Sequence, residues 1–196
     1  IAQCLVGSEM CKETASESPR RRELLGALGI PFETVTAQVE ELKRAASPEE
    51  VPLVNALLKA DTVAARHPDA LIIGADTVIL FQGEAIGKPH DLADAERLLL
   101  SLAGHSHQVV TGLALVCRAA GFRRNWLERS EVVFKPFDRA VVKRYLELVP
   151  VLDKAGAYAI QQHGDLLIDH ISGDLNNIIG LPLEQLRREL SAASAL

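Results

Sequence analysis

The densest apolar run in the chain is Leu71-Ile72-Ile73-Gly74-Ala75-Asp76-Thr77-Val78-Ile79-Leu80, broken in its middle by one polar pair. Continuous apolar residues over this length, rich in Ile and Val, predict a strand buried on both faces. An ionised carboxylate there is costly unless a cation, a metal or several donors meet it. Asp76 is therefore either a buried acid that caps a neighbouring loop or a carboxylate set at a sheet to do chemistry.

Around this strand, turn and cap signals divide the chain. Ile1 to Val6 has the pattern of a strand. Ser18 as N-cap, Pro19 in the first turn and Gly29 as C-cap bound a helix. Phe32 to Thr36 is a short strand. Ser47-Pro48-Glu49-Glu50 has the form of a capping box, starting a helix that runs to about His67 before Pro68. Two apolar runs flank Gly83, which predicts a β-hairpin into Ile86-Gly87-Lys88-Pro89. Asp91 caps a helix through Leu102, ended by Gly104. Strands follow over Gln108 to Cys117 and Phe122 to Phe134, then a helix from Asp138 to about Val149. Leu152 to Gln161 is expected as a loop and short strand packed close to another backbone. A strand over Leu166 to Ile171 and a helix from Pro182 to about Leu190 complete the order. Strands and helices alternate with at least one hairpin, so the expected fold class is α/β with a mixed sheet.

Composition narrows the classes. At 196 residues the chain is long enough to bury a real core as one domain or two lobes. A net charge of −5 argues against a general binder of nucleic-acid polymers. No apolar run reaches the length of a membrane span, and Ile1 to Met10 lacks the basic start of a signal peptide. The three cysteines, Cys4, Cys11 and Cys117, have no metal-ligand spacing. Reduced thiols in a cytoplasmic protein are the simplest account.

Several residues carry candidate chemistry. Arg20, Arg21 and Arg22 crowd the start of the first helix, against the preference of the helix dipole for acids there. Free N–H groups with added guanidinium groups suit a phosphate, and a solvated basic patch is the competing account. Glu40 and Glu41 are adjacent acids in a loop, ordinarily solvent-facing, and also what a divalent cation needs. Lys59, alone on a helix, says nothing by itself. Lys88 is held between Gly87 and Pro89. His105 and His107 have the spacing of one strand face, but no third ligand lies near them in sequence, which disfavours a metal pair.

Six blocks in this order resemble the Maf family of nucleoside triphosphate pyrophosphatases. They are Ser18-Pro19-Arg20-Arg21 with Glu23-Leu24-Leu25, Gly74-Ala75-Asp76-Thr77-Val78, Gly87-Lys88-Pro89, and His107 through Thr111-Gly112. The others are Asp153-Lys154-Ala155-Gly156-Ala157-Tyr158 with Ile160-Gln161, and Gly180-Leu181-Pro182-Leu183. The resemblance covers roughly residues 14 to 190 and implies a single Maf-like domain over 1–196, with residues 1–15 atypical. It implies a mixed twisted sheet with flanking helices, two lobes around a cleft, similar to the inosine triphosphatases. It implies a house-cleaning hydrolase that cuts between the α and β phosphates of a nucleoside triphosphate with a divalent metal, Mg²⁺ or Mn²⁺. A homodimer is compatible with it.

On that resemblance Asp76 stands at the proton acceptor, and Arg20, Thr77 and Gln161 stand at the substrate-selecting positions. Glu41, Lys59 and Lys88 match positions associated with metal and phosphates, and Ser18 and Arg21 belong to the phosphate-binding block. Asp76 and Glu41 are then the two metal carboxylates. The Ala-Asp-Thr and Ile-Gln forms resemble the branch acting on dTTP and UTP. A sister branch acts on 7-methyl-GTP, and a non-catalytic nucleotide-binding protein linked to cell division is a further reading. The family places an apolar strand directly before the Ser-Pro-Arg-Arg block. Here Lys12 and Glu13 interrupt it, so either that strand is degraded or Gln3 to Ser8 takes its place, with an extra loop between. The second is the reading adopted.

Overall fold

The computed structural model describes residues 11–15 as backbone, and residues 18–43 and 45–193 in full. The strand expected over Ile1 to Val6 lies outside the described residues. Seven strands form one mixed sheet in the order β2-β1-β3-β5-β6-β7, with β4 paired to β3. They are β1 (Cys11–Ala15), β2 (Phe32–Thr36), β3 (Ile72–Phe81), β4 (Glu84–Ile86), β5 (Ser106–Cys117), β6 (Phe122–Phe134) and β7 (Ile168–Ser172). The helices are α1 (Pro19–Gly26), α2 (Val51–Arg66), α3 (Leu92–Leu102), α4 (Arg139–Leu148), α5 (Leu175–Ile179) and α6 (Leu183–Ala193). No helix among the described residues is long and apolar enough to cross a membrane.

The first strand corrects the reading that put an extra loop before Ser16. Cys11 to Ala15 pairs in parallel with β2, from Cys11 opposite Phe32 to Ala15 opposite Thr36. The same strand pairs in parallel with β3, from Lys12 opposite Ile72 to Thr14 opposite Gly74. Ladder bonds are made by the main chain, so charged residue types did not prevent the pairing that their side chains argued against.

The chain divides into two compact units. One takes residues 1–76, 111–128 and 180–196, and the other takes 77–110 and 129–179. In the first unit the period-2 alternation of β3 and β5 sorts the core. Leu71, Ile73, Ala75, Leu113 and Leu115 pack with Leu25 of α1 and with Leu181 and Leu186 at α6. Ile72, Ala114 and Val116 pack on the other side, with Ala56, Ala60 and Val63 of α2. Small residues on α2 meet glycines on the strands. A Cβ at Gly74 would fall 2.2 Å from the Ala56 carbonyl oxygen, and one at Gly112 would fall 2.4 Å from the Pro52 main chain. The helix therefore lies directly on the sheet.

Two local signals differ from expectation here. Ser47 makes no side-chain cap; Pro48–Glu50 forms a turn of 3-10 helix and α2 begins at Val51. Pro52 in its first turn gives up no helical N–H bond, so the start does not depend on a capping box. Cys117, buried at the end of β5, is disulfide-bonded, which corrects the reading of three reduced thiols. Spacing along a chain does not reveal which distant thiols folding brings together.

In the second unit the predicted hairpin forms, with Ile79 opposite Ile86 and Phe81 opposite Glu84. Gln82 and Gly83 both have positive φ, 52° and 82°, as a two-residue turn matched to strand twist requires. Asp91 accepts from the Asp94 N–H and Asp138 from those of Ala140 and Val141, capping α3 and α4 as expected. The segment over 152–161 holds a 3-10 turn at Ala155–Ala157 where a short strand was expected. Gly156 has φ 67°, a Cβ there would strike Ile79, and its N–H donates to the Gly87 carbonyl at 3.0 Å. The close approach was legible; the bond to Gly87, which takes the N–H away from any ladder, was not.

Candidate active site

Alternation on β3 decides where Asp76 points. Ile72 packs on the α2 side, so Gly74 and Asp76, two and four residues on, share that face. Asn55 and Lys59 are one turn apart on α2, both 3% exposed, in a stripe otherwise made of small and apolar residues. Because Gly74 lets α2 approach, both side chains reach Asp76. Lys59 Nζ lies 2.8 Å from Oδ1, and Asn55 Nδ2 donates to Oδ2 at 3.1 Å. Both carboxylate oxygens are thus held, while the Asp76 side chain keeps 13% of its surface in solvent. A carboxylate near the apolar core is met by a cation and a donor, as its burial demands.

Lys59 also holds a second acid. Its Nζ lies 2.7 Å from Oε1 of Glu41, whose side chain is 56% exposed. Glu41 sits on a loop without regular structure, and the next residue, Leu42, is tied by its main chain to Asn55. Asp76, Lys59 and Glu41, proposed from sequence for one site, are brought together in the first unit. Among the described residues no group of three or more His, Cys, Asp or Glu side chains is arranged around a metal position. Asp76 and Glu41 are the two carboxylates that would hold a Mg²⁺, which takes one or two from a protein and completes its shell from water and phosphate, at the place the Lys59 ammonium fills here.

The arginine pair divides. Arg20 is half-buried at the first turn of α1, and Ser18 precedes that helix without capping it by its side chain. Arg21 is 6% exposed and turns to the main chain: Nε donates to the Gly180 carbonyl at 2.8 Å and Nη1 to that of Ala75 at 3.2 Å. Its guanidinium holds the residue immediately before Asp76. Thr77, Lys88 and Gln161 belong to the second unit, where Lys88 and Gln161 are exposed and the Gly156–Gly87 bond ties their two loops.

The histidine pair is not a metal site. His107 is buried, with Nε2 2.8 Å from the Tyr158 hydroxyl and Phe134 edge-on to its ring. Burial lowers its pKa to about 4, so it is neutral at pH 7. His105 is exposed and bonds the Ala103 carbonyl.

Sequence reasoning passed over Asn55. The signal was an amide inside an apolar helical stripe, four residues before Lys59, where a buried polar group needs partners.

A family model described as Maf-like protein matches residues 14–193. The chain belongs to the Maf family. Relatives include the dTTP/UTP pyrophosphatase of Akkermansia muciniphila, 43% identical over 178 residues, spanning 90% of this chain and 93% of that one. Another is the dTTP/UTP pyrophosphatase of Bacillus velezensis, 42% identical over 177 residues, with 90% and 93% covered. Among solved structures, the Staphylococcus aureus Ham1 protein superposes with a TM-score of 0.49 at 16% identity, covering 93% of this Maf chain and 98% of that chain. That likeness is too loose to bear on activity.

Proposed function

We propose that this Maf protein is a nucleoside triphosphate pyrophosphatase that hydrolyses dTTP and UTP to the monophosphate and pyrophosphate, in a metal-dependent reaction. The two units are read as lobes of one domain. The observation that carries the reading is Asp76, fixed by Lys59 and Asn55 and joined through Lys59 to Glu41. The names of relatives at about this identity over nine-tenths of the chain point the same way.

In this reading Asp76 orients a water and takes its proton as the water oxygen bonds to the α phosphorus. The bond from that phosphorus to the bridging oxygen breaks, and pyrophosphate leaves. Lys59 neutralises charge beside the two carboxylates and supplies a cation for a phosphate oxygen. Arg20 and Lys88 add cations for a polyanionic substrate, while Gln161 and Thr77 offer donors and acceptors for the base or ribose. A divalent ion on Asp76 and Glu41, when bound, would offset phosphate charge. Little covalent chemistry is asked of the protein; positioning and charge neutralisation supply the rate.

The test is pyrophosphate release from dTTP, UTP and 7-methyl-GTP with Mg²⁺ or Mn²⁺. Release from dTTP and UTP, abolished by EDTA and by Asp76→Asn, is the expected result. Full activity of a folded Asp76→Asn protein removes the base assignment, and release from 7-methyl-GTP alone moves the protein to the sister branch.

A further inference from the structure

We propose that Asn55 is the positioning residue that holds Glu41 beside Asp76 and so assembles the pair of carboxylates a divalent cation needs. The inference rests on the metal-dependent reading of this same cluster.

The Asn55 amide has one acceptor and two donor hydrogens, and the structure uses all of them. Oδ1 accepts from the Leu42 N–H at 2.8 Å, and Nδ2 donates to the Leu42 carbonyl at 3.0 Å and to Asp76 Oδ2 at 3.1 Å. The two bonds to Leu42 grip one peptide position from both sides, much as a strand neighbour would. The third runs to the carboxylate. One side chain thus joins the loop that carries Glu41 to the strand that carries Asp76.

Lys59 cannot do this alone. Its contact with Glu41 is an ion pair whose acid is more than half exposed, a kind that restrains weakly. Glu41 lies on a loop without regular structure, and the clamp on Leu42 fixes the backbone one residue beyond it. Packing does not call for an amide here. Asn55 is 3% exposed on a helix whose other buried positions are, apart from Lys59, small or apolar.

The experiment uses the full chain and Mn²⁺ alone, without nucleotide, reading free hydrated Mn²⁺ by its EPR signal. Asn55→Leu is expected to weaken Mn²⁺ binding about 10- to 100-fold, as loss of a group that orients a metal ligand does. Amide exchange at residues 41–43 is expected to accelerate while protection over 56–64 on α2 is kept. Adding Asn55→Leu to Glu41→Gln is expected to cost less than about twofold further, because the two act through one carboxylate. Should the Leu variant fail to fold, Asn55→Ala, which adds no bulk, replaces it. The inference is overturned by native Mn²⁺ binding in a folded Asn55 variant, by effects that multiply independently with Glu41→Gln, or by absence of Mn²⁺ binding in the native chain. Native Mn²⁺ binding weakened by Asn55→Leu, in a protein that releases no pyrophosphate, would sink the proposed activity and leave the role of Asn55 standing.

Discussion

Lys59 and Asp76, seventeen residues apart in sequence, meet with Nζ 2.8 Å from Oδ1 inside the first unit. The lysine is 3% exposed and also touches Glu41, so one ammonium serves two acids. Lys59→Met keeps most of the packing and removes the charge. It is expected to cost about 2 kcal/mol of stability, below the usual figure for breaking a buried pair because Glu41 reaches solvent. Pyrophosphate release should fall by about 100-fold or more, as loss of a charge-stabilising group does. Thermal unfolding and turnover measured together check both figures.

The site depends on contact between α2 and β3. Gly74→Ala places a methyl 2.2 Å from the Ala56 carbonyl oxygen, which belongs to a helix main chain and cannot swing aside. The expected cost is about 1–3 kcal/mol from overpacking, with activity lost as Asn55 and Lys59 are pushed from Asp76. Gly26→Ala is the contrast. It lies within α1 with nothing within 4 Å of the added methyl, and should stabilise by up to about 1 kcal/mol. A melting-temperature change of the same sign in both variants would refute the packing account.

Arg20 and Arg21 should separate by measurement. Arg21→Lys keeps a charge but cannot span the Gly180 and Ala75 carbonyls, so the melting temperature should drop, reflecting a loss of about 1–3 kcal/mol. Arg20→Lys should leave the melting temperature nearly unchanged and raise KM for the nucleotide. The reverse pattern would make Arg21 the phosphate ligand.

His107 ties stability to pH. Its pKa is about 4 in the folded protein against 6.5 for the free side chain, because burial disfavours the charged ring. Between these values the unfolded chain binds the proton and the folded one does not, so stability falls as pH falls. The loss begins near pH 6.5, is complete below about 4, and amounts to roughly 3 kcal/mol. His107→Phe should flatten this part of the curve. Denaturant unfolding at several pH values checks it, and an unchanged slope in the variant would place the effect elsewhere.

The order of elements was legible in the chain because each is announced locally. Asp91 and Asp138 cap their helices, Gln82-Gly83 turns the hairpin, and an apolar run interrupted only at Asp76-Thr77 makes the central strand. The resemblance to Maf proteins was legible for a similar reason: its blocks are short and each can be read by itself. Lys12 and Glu13 misled, because strand pairing is made by main-chain groups that carry no side-chain signal.

By itself the sequence determined an α/β fold, the family, and a carboxylate at position 76 in need of a partner. Only the tertiary structure decided which groups meet it. Lys59 looked like any surface lysine, Asn55 like any helix amide, and Arg21 like a free cation. Their roles follow from two strand glycines, Gly74 and Gly112, that let one helix lie against the sheet. They follow also from an alternation that sends Asp76 to the side of α2 and the Ala75 carbonyl to Arg21. Periodicity along a chain tells a residue's face, whereas partners come from elements brought together across it, and their distances are set by packing.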